Sequence, residues 1–479
     1  MDLPWVSIGV ILALGAAFIV VSWFISKKVS SADSYISSHG RLGVAFGTTA
    51  LLAFWVTGNT IMAAPEAAYG MGVIGAIAYS FLGGVAVVAF APLGKRIHQV
   101  IPHGRTVGDF YGNRYDRKNY VLFLVLVFAY VFGLLMTQGI GGGLLLEQIF
   151  AIPYELAVIL TFIIVIAYAS MGGFSSVTGI AFFQVILILA VIVVVPPLVY
   201  LQTGTAAVYQ GMAELAPAQL DLLLPAGIFF MFAGAMFAVG EVFMDNTFWQ
   251  RAYAVKKEKL VSIFTLAGVG WFVVPLATAT LAFVALGTGQ APEQVNQVAP
   301  YIATVYGGQF ASWVFLVGVW SALASTIAAV LNSLASLFIN DVYMPRRPGR
   351  TDKHYMRAAQ VTTVVIGVIG LVMSLPQLLT MLQMLIFLGV INAAFVFPIV
   401  FGLFWKKIGS NAAFAATVLA VIGGYATYFT VGGLQGVVVS GWISFLVCWG
   451  WSLARPHQFQ WSRLYRVGLD EFALDRSAK

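Results

Sequence analysis

Charge is what this chain has least of. Asp, Glu, Lys and Arg make up 9% of its 479 residues, and the mean hydropathy is +0.92. Soluble domains carry about 25% charged residues, so a chain this apolar is built for a bilayer. Cysteine is nearly missing too. The one copy, Cys448, lies inside an apolar run, which excludes an intrachain disulfide and makes it a packing residue. The five histidines (His39, His98, His103, His354 and His457) all fall between apolar runs. That argues against haem ligation or a histidine proton relay at membrane depth. There is no stretch for a soluble catalytic or regulatory domain, and no nucleotide loop, metal cluster or nucleophile–base set. Primary active transport and a membrane enzyme are both disfavoured. Met1-Asp2-Leu3-Pro4 lacks a basic n-region, so the first apolar run is expected to remain as a span.

At about 20 apolar residues per crossing, the chain divides into thirteen predicted helices of an all-α polytopic membrane protein. They run over 5–26, 44–71, 73–94, 121–147, 154–171, 176–202, 225–250, 260–287, 308–340, 357–375, 378–405, 410–431 and 436–454. With the N-terminus outside, all 25 Lys and Arg fall on the inner side, from Lys27, Lys28 and Arg41 to Arg476 and Lys479. The outer segments 203–224 and 288–307 contain Glu214, Asp221 and Glu293 but no cation. The net charge of +7 is thus a topology signal and not a nucleic-acid footprint. It predicts a multi-pass protein of the cytoplasmic membrane with its C-terminus inside. The segment 95–120 reads as a basic cytoplasmic loop whose Arg and Lys face solvent or lipid headgroups.

What the chain does have is polarity in the wrong place for lipid. The apolar run from Phe46 to Gly72 is interrupted by Trp55-Val56-Thr57-Gly58-Asn59-Thr60, with Pro65-Glu66 a turn or so later. A helix that breaks at membrane depth exposes carbonyls to a bound ion and solute, as in secondary transporters. A second odd span follows five spans later, at 225–250, where Gly240-Glu241 precedes Asp245-Asn246. That interval predicts two inverted five-helix repeats, 44–202 and 225–405, each opening on a discontinuous helix. An extra span with its loop (1–43) precedes them, and two spans (406–455) and a tail (456–479) follow.

Several polar groups lie at membrane depth. Ser325-Thr326 in the ninth span supply neutral hydroxyls that suit a releasable cation together with carbonyls freed near Ala53 and Val56. The alternative is hydrogen bonding to the preceding helical turn. Glu241 and Asp245 share a helix face. Charge inside a span costs about 2.5–3.5 kcal/mol on insertion scales, which marks both as candidate groups of the permeation path. A cap or a pairing with Arg251 is the other reading of Asp245. Glu66 is expected in the outer vestibule, Glu147 at the interface, and Asp341 as a loop anchor. Trp55 would wall the solute pocket. Gly139 to Gly143 lack a following Lys-Ser/Thr and read as close helix packing.

These residues resemble the sodium:solute symporter family over essentially the whole chain. The resemblance is carried by Ala53-Phe54-Trp55-Val56-Thr57-Gly58, Met171-Gly172-Gly173-Phe174, Phe248-Trp249-Gln250-Arg251-Ala252, Asn332-Ser333 through Asp341-Val342-Tyr343, and Gly402-Leu403-Phe404-Trp405-Lys406-Lys407. It implies the leucine-transporter-type fold, sodium as coupling ion and no organic cofactor. It further implies a sodium site from the carbonyls of Ala53, Val56 and Ala322 and the hydroxyls of Ser325 and Thr326. Ala181 stands where some relatives have an acid of a second sodium site, which favours one sodium per cycle. The sugar-binding acid and the inner-gate aromatic of sugar-transporting relatives fall at Ser80 and Glu241, which disfavours a sugar. Gly240 to Trp249 and Gly270-Trp271-Phe272-Val273-Val274-Pro275 look most like the urea and polyamine branch. The expected solute site comprises Trp55, Thr57, Gly58, Asn59, Ser80, Glu241, Asp245 and Gln383. The expected partners are a small solute, sodium and the lipid bilayer, in a monomer or loose oligomer. The alternatives are a proton-coupled carrier or passive facilitator, and a sodium symporter for proline-like or other organic solutes.

Overall fold

The computed structural model describes residues 4–29 and 42–467, and among them all regular structure is helical apart from one bridge between Leu42 and Val255. The helices are α1 (Pro4–Ser26), α2 (Val44–Trp55), α3 (Gly58–Val100), α4 (Val107–Arg114) and α5 (Arg117–Phe150). They continue with α6 (Tyr154–Thr203), α7 (Thr205–Leu215), α8 (Pro225–Met244), α9 (Asn246–Ala254) and α10 (Leu260–Thr288). The last five are α11 (Val298–Phe338), α12 (Asp352–Ser374), α13 (Met381–Phe404), α14 (Ser410–Thr430) and α15 (Gly433–Ala454). Arg41, Arg476 and Lys479, and the tail beyond Val467, lie outside the described residues. Eleven of the described helices are long and apolar enough to cross a membrane.

Two of the long helices double back. The Tyr79 hydroxyl donates to the Asn59 carbonyl at 3.0 Å, although 20 residues of straight helix would hold them about 30 Å apart. The reversal is at Gly72, whose φ is 67°. In α6 the Gln184 amide reaches the Tyr168 hydroxyl at 3.4 Å across Gly173, whose φ is 54°. Only glycine takes this left-handed geometry without strain. At Gly72 a Cβ would also come within 2.0 Å of the Gln219 carbonyl oxygen, so nothing larger fits under the outer segment. Gly72→Ala is therefore expected to lower stability by about 1–3 kcal/mol, read as a drop in the thermal unfolding midpoint of the detergent-purified protein.

Packing sorts the helices by depth. α11 is the central element, buried along nearly all of its apolar length, and lies against α6 and α5. α10 pairs with α3, α8 fits between α3 and α13, and α14 with α15 closes one flank. α12 is peripheral. Val361, Val365, Val368 and Val372 are exposed on it at helical spacing, a stripe that in a bilayer faces acyl chains.

The loop 95–120 corrects one expectation. Arg114 is not solvated but buried, and its guanidinium donates to the carbonyls of Gly402 (2.8 Å), Trp405 (3.2 Å) and Ile408 (3.0 Å). Arg96 donates to Leu403 at 2.9 Å. Two cations thus satisfy the orphan carbonyls at the C-terminus of α13, where the helix dipole favours positive charge. Asp341 is an anchor as expected: it accepts the Thr106 hydroxyl at 2.8 Å and ties α4 to the end of α11. Cys448 is buried and unpaired.

Candidate solute and ion site at the broken helix

The first break falls at Val56 and Thr57, between α2 and α3. Val56 N still bonds to Leu52 O at 2.8 Å, but the next amides turn away. Thr57 N donates to the Thr60 hydroxyl (3.0 Å) and Gly58 N to the Gln138 side-chain oxygen (3.0 Å). Thr57 and Thr60 form a reciprocal cap that starts α3. The carbonyls of Ala53 and Phe54 thereby lose their helical partners. An unsatisfied carbonyl at membrane depth costs several kcal/mol, so each freed oxygen needs a donor or a cation.

The donors come from other helices. The Trp55 carbonyl accepts from Trp271 Nε1 at 2.7 Å and from the Thr60 hydroxyl at 3.2 Å. The Thr326 hydroxyl lies 3.2 Å from the Phe54 carbonyl and 3.0 Å from the Ala322 carbonyl of its own turn. Thr326, Ser325, Ala53 and Val56 are all buried. The structure therefore brings α11 to the break with a hydroxyl between two carbonyl oxygens: the bond to Ala322 is the preceding-turn alternative, and the one to Phe54 crosses to the break. The carbonyl it touches at the break is that of Phe54, next to the predicted Ala53 and two residues before the predicted Val56.

Beside the break is a small cavity lined by Trp55, Thr57, Asn59, Thr60, Tyr79, Leu82, Leu134, Phe237, Ala238, Glu241, Trp271 and Leu385. Its volume for the centres of water-sized spheres is about 30 Å³, room for one or two waters. Glu241 is the one ionisable carboxylate on its wall, and Tyr130 donates to its Oε1 at 2.6 Å. Asn59 donates its Nδ2 to Thr137 at 3.1 Å, while its Oδ1 is buried with no hydrogen-bond partner. The oxygens of Asn296, Asn332 and Asn392 are likewise unpartnered, but of these four residues Asn59 alone lines this cavity, where a donor can reach it. Leu82, Leu134, Ala238 and Leu385 share the wall with an aromatic group in which Tyr79 stacks on Trp271 with centroids 6.2 Å apart and Trp55 lies 6.1 Å from Trp271.

Four predicted solute residues are placed elsewhere. Asp245 caps α9, accepting the Thr247 amide at 2.7 Å. Ser80 donates to its own turn at Ala76 (2.8 Å), and its neighbour Tyr79 reaches the cavity instead. Gln383 is exposed and caps α13 through the Thr380 amide at 3.1 Å. Gly58 is buried against Leu323, where a Cβ would be 1.9 Å from the leucine methyl, so its role is to let α11 approach. Trp55, Thr57, Asn59 and Glu241 do line the cavity. Glu66 is half-buried and accepts the Thr380 hydroxyl at 2.6 Å, fastening α3 to the start of α13. Sequence reasoning missed Tyr79, Tyr130, Gln138 and Phe237. Trp271 entered it only as part of a resemblance.

This arrangement has counterparts. The description "Sodium:solute symporter family" matches residues 35–423. The chain belongs to that family. Among curated relatives, the urea-proton symporter DUR3 of Oryza sativa subsp. japonica is 24% identical over 95% of this chain and 71% of its own. The sodium/pantothenate symporter of Escherichia coli (strain K12) is 26% identical over 86% of this chain and 88% of its own. Among solved structures, a Na+-coupled sialic acid symporter in a substrate-bound outward-open state superposes with a TM-score of 0.78 at 17% identity, covering 95% of this chain and 99% of that one. Membership makes the protein a membrane transporter of the symport class and not an enzyme; the superposition gives the fold.

Proposed function

We propose that this family member is a sodium-coupled symporter that imports a small nitrogen-rich solute, urea- or amide-like or a polyamine-like cation, by alternating access. The observation that carries the coupling ion is the Thr326 hydroxyl between the Phe54 and Ala322 carbonyls at a break in α2. Sodium is held there by the carbonyls of Ala53, Val56 and Ala322 with the hydroxyls of Ser325 and Thr326, and one ion moves per cycle. The solute sits in the adjoining cavity. Its N–H groups meet Glu241 and the unpartnered Asn59 Oδ1, and its flat face lies on Trp55, Tyr79 and Trp271. No Lys or Arg is among the described residues lining the cavity, so a carboxylate solute would face Glu241 uncompensated.

The topology follows the same reading. Counting α3 and α6 as two crossings each, and α2 as the inner half of a broken span, gives thirteen crossings with the N-terminus outside. The segments 44–202 and 225–405 form inverted repeats of the leucine-transporter type, each opening on a break, at Val56–Thr57 and at Asp245. Alternating access then exchanges two sets of hydrogen bonds. On one side Glu66 holds Thr380. On the other, Asn246 accepts from Val107 N at 3.0 Å and donates to Ser333 O at 3.1 Å. Opening either side breaks its own set while the other persists.

A second reading has the Tyr130–Glu241 pair carry a proton in place of, or beside, sodium. It is favoured by the aromatic surroundings of that carboxylate and by a relative named a urea-proton symporter. One measurement separates the two. Proteoliposomes holding the purified protein should take up radiolabelled urea or putrescine faster under an inward sodium gradient than under a proton gradient without sodium. Faster uptake of pantothenate or proline than of either would reject the solute class; equal rates without sodium would reject the ion.

A further inference from the structure

Away from the transport site, on the face marked as cytoplasmic by the basic loops, lies a much larger cavity of about 650 Å³. Its walls come from α4 with the turn into it, Tyr120 of α5, the segment just after α11, and the C-terminal stretch 460–467 with its one-turn helix Ser462–Tyr465. Four basic side chains from two of these converge on it, His103, Arg105, Arg463 and Arg466. The C-terminal stretch is fixed in place. Leu464 is fully buried, Arg114 stacks on Phe459 at 4.1 Å, Arg96 on Trp461 at 4.7 Å, and the Tyr465 ring meets His103 edge-on at 6.4 Å. Arg463 and Arg466 are therefore carried on a docked segment, with their heads exposed at the cavity.

Two acids also line the cavity, and their oxygens are engaged. Asp109 accepts the amides of Arg105 (2.7 Å) and Thr106 (3.2 Å) on Oδ2 and the Asn340 side chain (3.1 Å) on Oδ1. Asp341 accepts the Thr106 hydroxyl at 2.8 Å. Burial raises the Asp109 carboxyl above the usual aspartate range, partly offset by its backbone bonds and by Arg105, so the floor is less negative than two free aspartates. The arrangement is an engaged floor under a cationic rim with Ser462 beside it; Asn113 and Tyr120 also line the cavity but donate to the carbonyls of Asp109 (2.8 Å) and Asp341 (2.9 Å).

We propose that this cavity binds a phosphate-bearing ligand, gripped by Arg463 and Arg466 opposite Arg105 and His103. Guanidinium forks suit phosphate because two parallel N–H groups meet two oxygens, and a ligand reached from two chain segments is selected over diffuse counterions. The phosphate can come from an anionic lipid of the inner leaflet or from a soluble phosphate ester. The inference stands independently of the solute and the coupling ion, and of any result from the transport site.

The test uses full-length protein purified in an uncharged maltoside detergent. Phosphatidylglycerol binding is read by native mass spectrometry, and glycerol phosphate and inorganic phosphate by thermal shift. The double variant R463Q/R466Q is expected to weaken binding by about tenfold or more, and R466Q alone by several-fold. The control K406Q/K407Q removes the same charge from two exposed lysines of the same face and is expected to leave binding within about twofold. Retention of the lipid but not of the soluble phosphates assigns the site to the bilayer; comparable binding of glycerol phosphate assigns it to a soluble ester. Equal weakening by both double variants, or no binding in any arm, overturns the proposal.

Discussion

Glu241→Gln is expected to reduce solute uptake by roughly ten- to a hundredfold at unchanged protein yield. The carboxylate is the only one on the wall of a small cavity, and a hydrogen bond to a charged group contributes about 1.5–3 kcal/mol. The amide keeps the shape and can still accept from Tyr130, so the loss isolates charge from packing. Removing an uncompensated buried charge does not by itself unfold a protein, and a monodisperse elution profile should be retained. Tyr130→Phe is the companion variant. It frees Glu241 Oε1 from a 2.6 Å bond and leaves the charge in place, so the expected change is smaller and falls mainly on the apparent affinity. Uptake by the glutamine variant at the native rate and half-saturation would remove Glu241 from the solute site. Under the proton reading the same variant loses its response to an imposed pH gradient, which gives that outcome its own signature.

The second large effect is expected at the ion. Ser325→Ala with Thr326→Ala should abolish sodium stimulation of uptake, or raise the half-saturating sodium concentration by about tenfold or more. Two hard oxygens leave, and each is worth about as much as a hydrogen bond to a charged group. The fold should tolerate the change. The Thr326 hydroxyl partly bonds its own turn, at Ala322, and a neutral bond of this kind contributes about 1 kcal/mol. Normal acceleration by sodium in the double variant would show that the assigned oxygens are not the ones that bind it.

The break itself was legible because lipid gives Trp55-Val56-Thr57-Gly58-Asn59-Thr60 no reason to exist. Polarity at membrane depth is a local signal, and the same logic found Glu241 and Ser325-Thr326. What the sequence hid was whether a polar group is already committed. Asp245 and Gln383 satisfy helix N-termini, and Ser80 satisfies its own turn, uses that depend on backbone geometry no residue pattern displays. Arg114 hid for the same reason. Amid so many cytoplasmic cations, nothing marks the one that turns inward to hold the end of α13. Tyr79, Tyr130 and Phe237 were invisible because aromatics form 14% of the chain and long-range pairing leaves no mark on neighbouring residues. Gly72 and Gly173 show the converse. The predicted span boundaries at 71/73 and 171/176 flank them, and contacts 16 to 20 residues apart show the fold-back each glycine permits.

The bond from Trp271 commits the Trp55 carbonyl, one of the oxygens that the break would otherwise offer, to α10, outside the broken helix. On the proposed reading the ion is then left to the neutral oxygens of Ala53, Val56, Ala322, Ser325 and Thr326. The indole also ties the break to α10, so a rocking motion of the broken helix must either carry α10 with it or give up this bond.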